Sequence, residues 1–333
     1  MMHSVMSRRR FITFVAAAAG LPLLLKVGGA QARPARWDGT ALGAPASIQL
    51  YHTNEAQAQA AIAAGLGELK RLEAIFSMYL ADSSISRLNR DGVLENAPSD
   101  FIAMLTRALS LAKISDGVYD PTVQPLWQTY FRHFTAGNPD PAGPAQRDID
   151  AALALVDWRG VEIDAANNRV SFARPGMGLT LNSGAQGYIT DRVADVLRAH
   201  GFDRMLVDMG EPRALSAKPD GSAWRIAIAN PANPGNAITT LELVDKCVAT
   251  SGGYGTIFDP AGTFTHIMNT RTGRTAPAML GVSVVADKGI IADGLSTAML
   301  MAPVERRQEI LKAAGGLKAI YVTPDGVVST VEA

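Results

Sequence analysis

Very little in this chain is extreme, and the absences narrow it first. There is one cysteine in 333 residues, Cys247, so no disulfide can close within the chain and no cysteine-based metal site is possible. Basic and acidic residues balance at 31 each, and no basic cluster offers the charge that phosphate backbones require, so a nucleic-acid partner is not expected. Aromatics make up only 6% and charged residues 19%. There is no internal repeat and no low-complexity tract. The uncharged run from Phe11 to Leu25 is too short for a comfortable membrane span.

That run belongs to a different pattern. "SRRRF" (residues 7–11) is a basic head, Phe11–Leu25 an apolar middle, and Ala30 with Ala32 an A-x-A cleavage site: the anatomy of an export signal. Ser7, Arg8, Arg9 and Phe11 fit the twin-arginine form, used for folded proteins that often carry cofactors. Cleavage after about Ala32 would deliver residues 33–333 to the periplasm. It would remove four of the 31 basic residues and no acidic one, leaving 27 against 31.

The remaining 47% hydrophobic content suffices for a large core. Ile62, Leu66, Leu69, Leu72, Ile75 and Phe76 recur at helical spacing and predict a long helix over 55–78. Helices are also predicted over 99–115, 187–200, 289–301 and 304–314. Strands are expected near 46–52, 204–208, 224–229, 238–243, 247–250, 262–267 and 281–286. Hairpins are expected at 160–173 and at 317–331, and a proline- and glycine-rich surface loop at 136–145. Helices gathered towards the N-terminal half with antiparallel strands behind indicate an α+β fold in one domain, 33–333.

Five stretches could carry chemistry. Asp293 and Thr297, four apart on a predicted helix, put a carboxylate and a hydroxyl on one face, a pair suited to Mg²⁺. Spacing alone favours a plainer account, an aspartate near a helix N-terminus and an unrelated threonine. "LTLNSGAQGYITDRV" (179–193) runs small polar residues into a helix start, where free N–H groups suit a pyrophosphate or simply turn a corner. Around 77–90 and 116–127, Tyr79, Tyr119 and Trp127 could stack on a planar ring or merely line a surface. His266, in "HIMNTRTGR" (266–274), could act as a base or serve as a structural hydrogen-bonding group.

Taken in order, these stretches resemble the ApbE family, the FAD:protein FMN transferases. The resemblance runs from about Gly39 to Met301 and rests on "MYLADSSISRLN", "YDPTVQPLW", "AQGYITDRVADVL", "VDMGEPRAL", "WRIAIANP", "VATSGGYGTIF", "THIMNTRTG" and "ADGLSTAML". It implies a protein that binds FAD and a divalent metal such as Mg²⁺. Such a protein moves FMN onto a threonine or serine of an acceptor, and AMP leaves. It also implies metal ligation by Asp293, Thr297 and a backbone oxygen near Ser183. Flavin contacts would fall at Leu42, Tyr79, Tyr119, Asp120, Pro121, Thr180 and Gln186, with His266 as the active-site histidine. Arg271 would lie within reach of the pyrophosphate or brace its loop.

The chain departs from the family pattern in several places. Thr180 replaces an acid, Asn182–Ser183 a glycine pair, Gln186 a lysine, Glu211 a glycine and Asn269–Thr270 an Asp-Pro. "TLN..AQGYITDRVAD" with "LVDMGEPRAL" looks more like the NosX-type branch that accompanies nitrous oxide reductase. The acceptor would then be a membrane-associated redox protein, of NosR-like type. Three rival readings stay open: an FAD pyrophosphatase, a non-catalytic flavin carrier or chaperone, and a periplasmic binding protein for another small ligand.

Overall fold

Residue 33 opens a strand that the sequence does not announce. In the computed structural model, which describes residues 32–333 apart from 231–232, 276–280 and 324, Arg33–Ala41 (β1) folds back antiparallel on Ala44–His52 (β2). In β2, Ala46, Ile48, Leu50 and His52 alternate inward, the period of a half-buried strand. The long helix Glu55–Phe76 (α1) follows, capped by the Asn54 side chain, and buries the Leu69, Leu72 and Phe76 stripe. Next come Ser84–Asp91 (α2), the short strand Val93–Leu94 (β3), Ser99–Ile114 (α3), Gln124–Phe134 (α4) and Gln146–Leu153 (α5). Val161–Asp164 (β4) and Arg169–Phe172 (β5) form the expected hairpin and join β3 in a small sheet.

The second half builds the large sheet. Asn182–Ala199 (α6) leads to Met205–Asp208 (β6) and Pro212–Leu215 (β7). The hairpin Trp224–Asn230 (β8) and Asn233–Leu243 (β9) precedes Lys246–Gly252 (β10) and Gly281–Ala286 (β11). Gly289–Met301 (α7), Arg307–Ala313 (α8), Gly316–Val322 (β12) and Val328–Glu332 (β13) complete the chain. Eight strands pair antiparallel in the order β1-β2-β6-β7-β10-β11-β12-β13, which makes the fold α+β, as the sequence indicates.

Every residue of β11 is buried, because both faces of the sheet are covered there. One face packs against α6, α7 and α1 through Val282, Val284, Leu295, Met299, Ile189 and Leu72. The β8–β9 hairpin covers the other with Trp224, Ile226, Ile228 and Leu243 against Val248 and Val285. A separate aromatic cluster lies under α4, where Leu126 and Tyr130 meet Phe258 and Phe264.

Two expectations are corrected. The predicted strand at 262–267 is not a strand: only isolated bridges, Ile257 to Thr265 and Met268 to Thr275, are made there. Phe264 and Phe258 turn to α4 instead of joining a ladder. The helix expected from Gly187 begins at Asn182, with a kink at Ser183 and Gly184 where φ/ψ are not helical.

Candidate active site

The crossing of α6 and α7 is the centre of the site. Gly187 and Gly289 face each other there with no room for a Cβ on either, since each would run into the other's backbone. This approach brings Asp293, on α7 and 4% exposed, under the opening turn of α6, where its Oδ2 accepts the Gly187 N–H at 2.9 Å. Burial, together with nearby Asp191, pushes its carboxyl up to about 7, and the N–H groups of Gly187 and Gly184 oppose this.

Thr297, one turn further along α7, has its hydroxyl 2.9 Å from that of Ser251 on β10, and Ser251 also meets Ser296 at 2.7 Å. The kink at Ser183 turns that residue's carbonyl out of the helix, within 3.5 Å of the Tyr119 hydroxyl. Ser183 Oγ donates to the same hydroxyl at 3.3 Å. The carbonyl also faces α7 at Gly294, next in chain to Asp293. All three residues assigned to the metal thus meet at the α6–α7 crossing.

Of the residues assigned to the flavin, Tyr119, Pro121, Thr180 and Gln186 lie at or beside the same turn, and Leu42 with Tyr79 forms a second group. Tyr119 is buried, and burial raises its phenol well above the ordinary value. Pro121 accepts the Thr180 N–H at 2.8 Å, so the two stretches run side by side. Gln186 packs its amide against Gly210, whose φ of +110° and close contact leave no space for a side chain. Leu42 donates its N–H to Glu73 at 2.9 Å, and Tyr79 lies against neighbouring Gly43 with its ring 74% exposed. Asp120 is different: its carboxylate is taken up by the Thr122 N–H and hydroxyl at 2.8 and 2.6 Å and by the Trp158 N–H at 3.0 Å. Its side chain therefore holds the turn that presents Tyr119 and Pro121. Trp127 stacks on Phe131 inside the aromatic cluster and is no platform for a ring.

His266 sits on the loop that follows β10. Its Nδ1 is 3.2 Å from both the N and the O of Thr256, and its ring lies against Gly255. Burial lowers its pKa from the ordinary value, which favours the neutral imidazole. Tyr254, next to Gly255, is in turn held up to about 12 by burial and by Glu211. Downstream, Thr270 donates its hydroxyl to the Gly117 carbonyl at 2.6 Å, and Arg271 pairs with Asp116 at 2.9 Å. Arg271 braces the loop.

Spacing gave no hint of four further groups. Asp191 caps the N-terminus of α7, accepting from Gly289 at 2.9 Å and Ile290 at 3.1 Å. Arg213, on β7, pairs with it at 2.8 Å in the interior. Asp208, at the end of β6, is raised to about 6 by burial, and Glu211 is raised well above its usual range by burial, then by Asp293 and Asp208. Among the described residues Arg213 is committed to Asp191 and no cation pairs with Asp208, Glu211 or Asp293.

Uncompensated buried carboxylates such as those of Glu211 and Asp293 are costly, and a divalent cation is their natural complement. Among the described residues no three His, Cys, Asp and Glu side chains form a ready cage. A Mg²⁺-type site does not require one, because that ion keeps waters and takes substrate phosphates with one or two carboxylates. The donor set of carboxylate, hydroxyl and carbonyl oxygens therefore fits.

Comparison with known proteins gives the family and the fold. A sequence model of the ApbE family matches residues 42–321. A protein of Treponema pallidum called FAD:protein FMN transferase is 28% identical over 85% of this chain and 83% of its own. One of Haemophilus influenzae with the same name is 30% identical over 73% and 72%. Among solved structures, the Pseudomonas stutzeri flavinyl transferase ApbE in its apo form superposes with a TM-score of 0.74 at 28% identity, covering 91% of this chain and 95% of that one. The Vibrio cholerae flavin transferase ApbE superposes at 0.76 and 24%, covering 91% and 98%. With the family's pattern matched along most of its length and its fold reproduced, the chain belongs to the ApbE family.

Proposed function

We propose that this protein transfers FMN from FAD to a threonine or serine hydroxyl of an acceptor protein. The observation that carries the reading is the α6–α7 crossing, where Asp293, Thr297 and the Ser183 carbonyl converge beside N–H groups at the kinked start of α6. A pyrophosphate needs concentrated positive charge, and a cation held at this turn would supply it. Asp293, Thr297 and the Ser183 carbonyl would hold Mg²⁺, which when bound neutralises the phosphates and eases departure of AMP.

The chain's own groups do the rest. The ring stretch Leu42, Tyr79, Tyr119 and Pro121, with Thr180 and Gln186, positions FAD. His266 keeps Nδ1 on Thr256, and with Nδ1–H donating to the Thr256 carbonyl its Nε2 is free to accept a proton. The acceptor hydroxyl oxygen attacks the phosphorus of the FMN half and its proton passes to Nε2. The new phosphoester bond forms as the phosphoanhydride bond breaks, and AMP leaves with that bond's electron pair. The protein needs no nucleophile of its own.

The export pattern at Arg8 and Arg9 supports a periplasmic site of action, and the resemblance of 180–215 to the NosX-type branch supports a membrane-associated, NosR-like redox protein as acceptor. The test is incubation with FAD, Mg²⁺ and a threonine-bearing acceptor domain, followed by in-gel flavin fluorescence. A fluorescent acceptor band and stoichiometric AMP are expected. Free FMN with no labelled protein would make the protein a pyrophosphatase, and FAD binding without turnover would make it a carrier.

A further inference from the structure

We propose that the Glu211 carboxylate, carried on the turn between β6 and β7, is a second acidic ligand of the divalent cation taken up at Asp293. The proposal rests on the metal-dependent reading of the site.

Placement is the first argument. Glu211 is 9% exposed, and its Oε2 accepts the Thr250 N–H at 3.2 Å. Thr250 is followed by Ser251, whose hydroxyl touches that of Thr297. On the other side, the Glu211 carbonyl accepts the Thr190 hydroxyl at 3.0 Å on α6. Gly210 packs on the amide of Gln186, the residue before Gly187. The turn is thus clamped between the start of α6 and the end of β10, the two elements that also hold Asp293 and Thr297 in place.

Chemistry is the second. Among the described residues the Glu211 carboxylate accepts one hydrogen bond, from the Thr250 N–H to Oε2, which leaves Oε1 for a ligand or water. The charges of Asp293 and Asp208 act on Glu211, and among the described residues none of the three is paired with a guanidinium or ammonium, since Arg213 belongs to Asp191. If the role of Glu211 were only to receive the Thr250 N–H, a neutral glutamine would serve without the repulsion. A carboxylate with a free oxygen at this point makes sense as a ligand. The site then has two acids, a hydroxyl and a carbonyl, and the remaining positions go to water and the phosphates.

The proposal is tested on the purified protein without FAD, by titrating Mn²⁺ and following free Mn²⁺ by electron paramagnetic resonance, with thermal melts in EDTA and in Mn²⁺. Glu211→Gln keeps the size and the acceptor for Thr250. It should weaken Mn²⁺ on the order of 10-fold or more, at least the scale at which loss of a supporting group costs a metal site affinity. Its metal-free melting temperature at pH 8 should rise, because the repulsion is gone, while the Mn²⁺-induced rise should shrink. Should Glu211→Gln fail to fold, Glu211→Asp, which withdraws the carboxylate by one methylene, should also bind Mn²⁺ more weakly. Unchanged Mn²⁺ affinity in the folded variant, with Asp293→Asn impaired, overturns the proposal alone. Unchanged affinity in both variants overturns it together with the metal reading beneath it.

Discussion

Asp293 Oδ2 and the Gly187 N–H, 2.9 Å apart, tie two helices together where neither tolerates a side chain. The bond fixes the α7 carboxylate against the turn that would hold the pyrophosphate, so the closeness of the helices is a requirement of the site and not only of the core.

Gly187→Ala should therefore do two things. The new methyl meets the Gly289 carbonyl, which is backbone and cannot rotate away. A loss of about 2–3 kcal/mol in urea unfolding is expected from such overpacking. The surviving folded protein should also bind metal more weakly, because Asp293 is displaced. Gly67→Ala, on α1 with nothing near its Cβ, is the control and should stabilise by about 0.5–1 kcal/mol. A Gly187→Ala protein as stable as wild type would mean that the helices can slide apart freely.

Asp208 sets a pH dependence whose sign can be worked out. Its folded-state pKa, about 6, lies above the ordinary 3.8 because of burial. Between those values the folded protein holds a proton that the unfolded chain has released, so stability from this group falls as pH rises from about 4 through about 6. Asp208→Asn can still accept the Gly210 N–H that the wild-type carboxylate receives at 2.9 Å. In metal-free urea titrations it should stabilise by about 2 kcal/mol at pH 8 and by little at pH 4. Equal effects at both pH values would show that the carboxylate is not charged at a cost.

His266→Ala should slow single-turnover flavin transfer by roughly 10²–10⁴, the usual worth of acid–base assistance, while FAD affinity changes little. His266→Asn should not rescue the rate, since an amide cannot take the proton. Burial lowers the imidazole pKa from its ordinary 6.5, so if His266 is the base the acid limb of the wild-type pH–rate profile should fall below that value. Loss of binding in parallel with rate would make His266 a clamp of its loop.

Arg8→Lys with Arg9→Lys should block export by the twin-arginine route, whereas a general secretory signal needs only positive charge at its head. These residues lie outside those the structure describes. Cell fractionation with antibody detection decides the matter, and unchanged periplasmic accumulation would rule the route out.

Much of the frame could be read from the chain because its signals are local. The apolar stripe from Ile62 to Phe76 gives α1 nearly to the residue, and the run 289–301 gives α7. Helix α4 is not announced by its sequence, because Pro125 and the aromatics of 124–134 suit a loop as well as a helix until Phe258 and Phe264 arrive from about 130 residues away. Residues 182–186 read as a loop for a good reason: Ser183 and Gly184 are non-helical inside the helix. Asp293 and Thr297 share a helix face, which spacing alone predicts. Asp191, Asp208, Glu211 and Arg213 come from a helix and two strands with the turn between them, and only the tertiary fold brings their charges together.

The two sides of the site are built on different foundations. Asp293, Thr297 and Ser183 stand on the main core between the large sheet and α6. The loop carrying His266 is bolted to α4 by Phe258, Phe264 and Tyr130, a cluster of its own. The clasp at 116–118, the Thr270 hydroxyl on Gly117 and the Arg271–Asp116 pair, fastens the far end of that loop at the surface. In the proposed mechanism, alignment between hydroxyl and phosphorus depends on this clasp, an exposed ion pair and one hydrogen bond that add little to global stability. Lesions there would leave a protein that expresses, melts normally and binds FAD, yet aims the proton acceptor at the wrong spot. A screen for solubility or thermal stability would pass such variants as healthy, and only the yield of labelled acceptor would expose them.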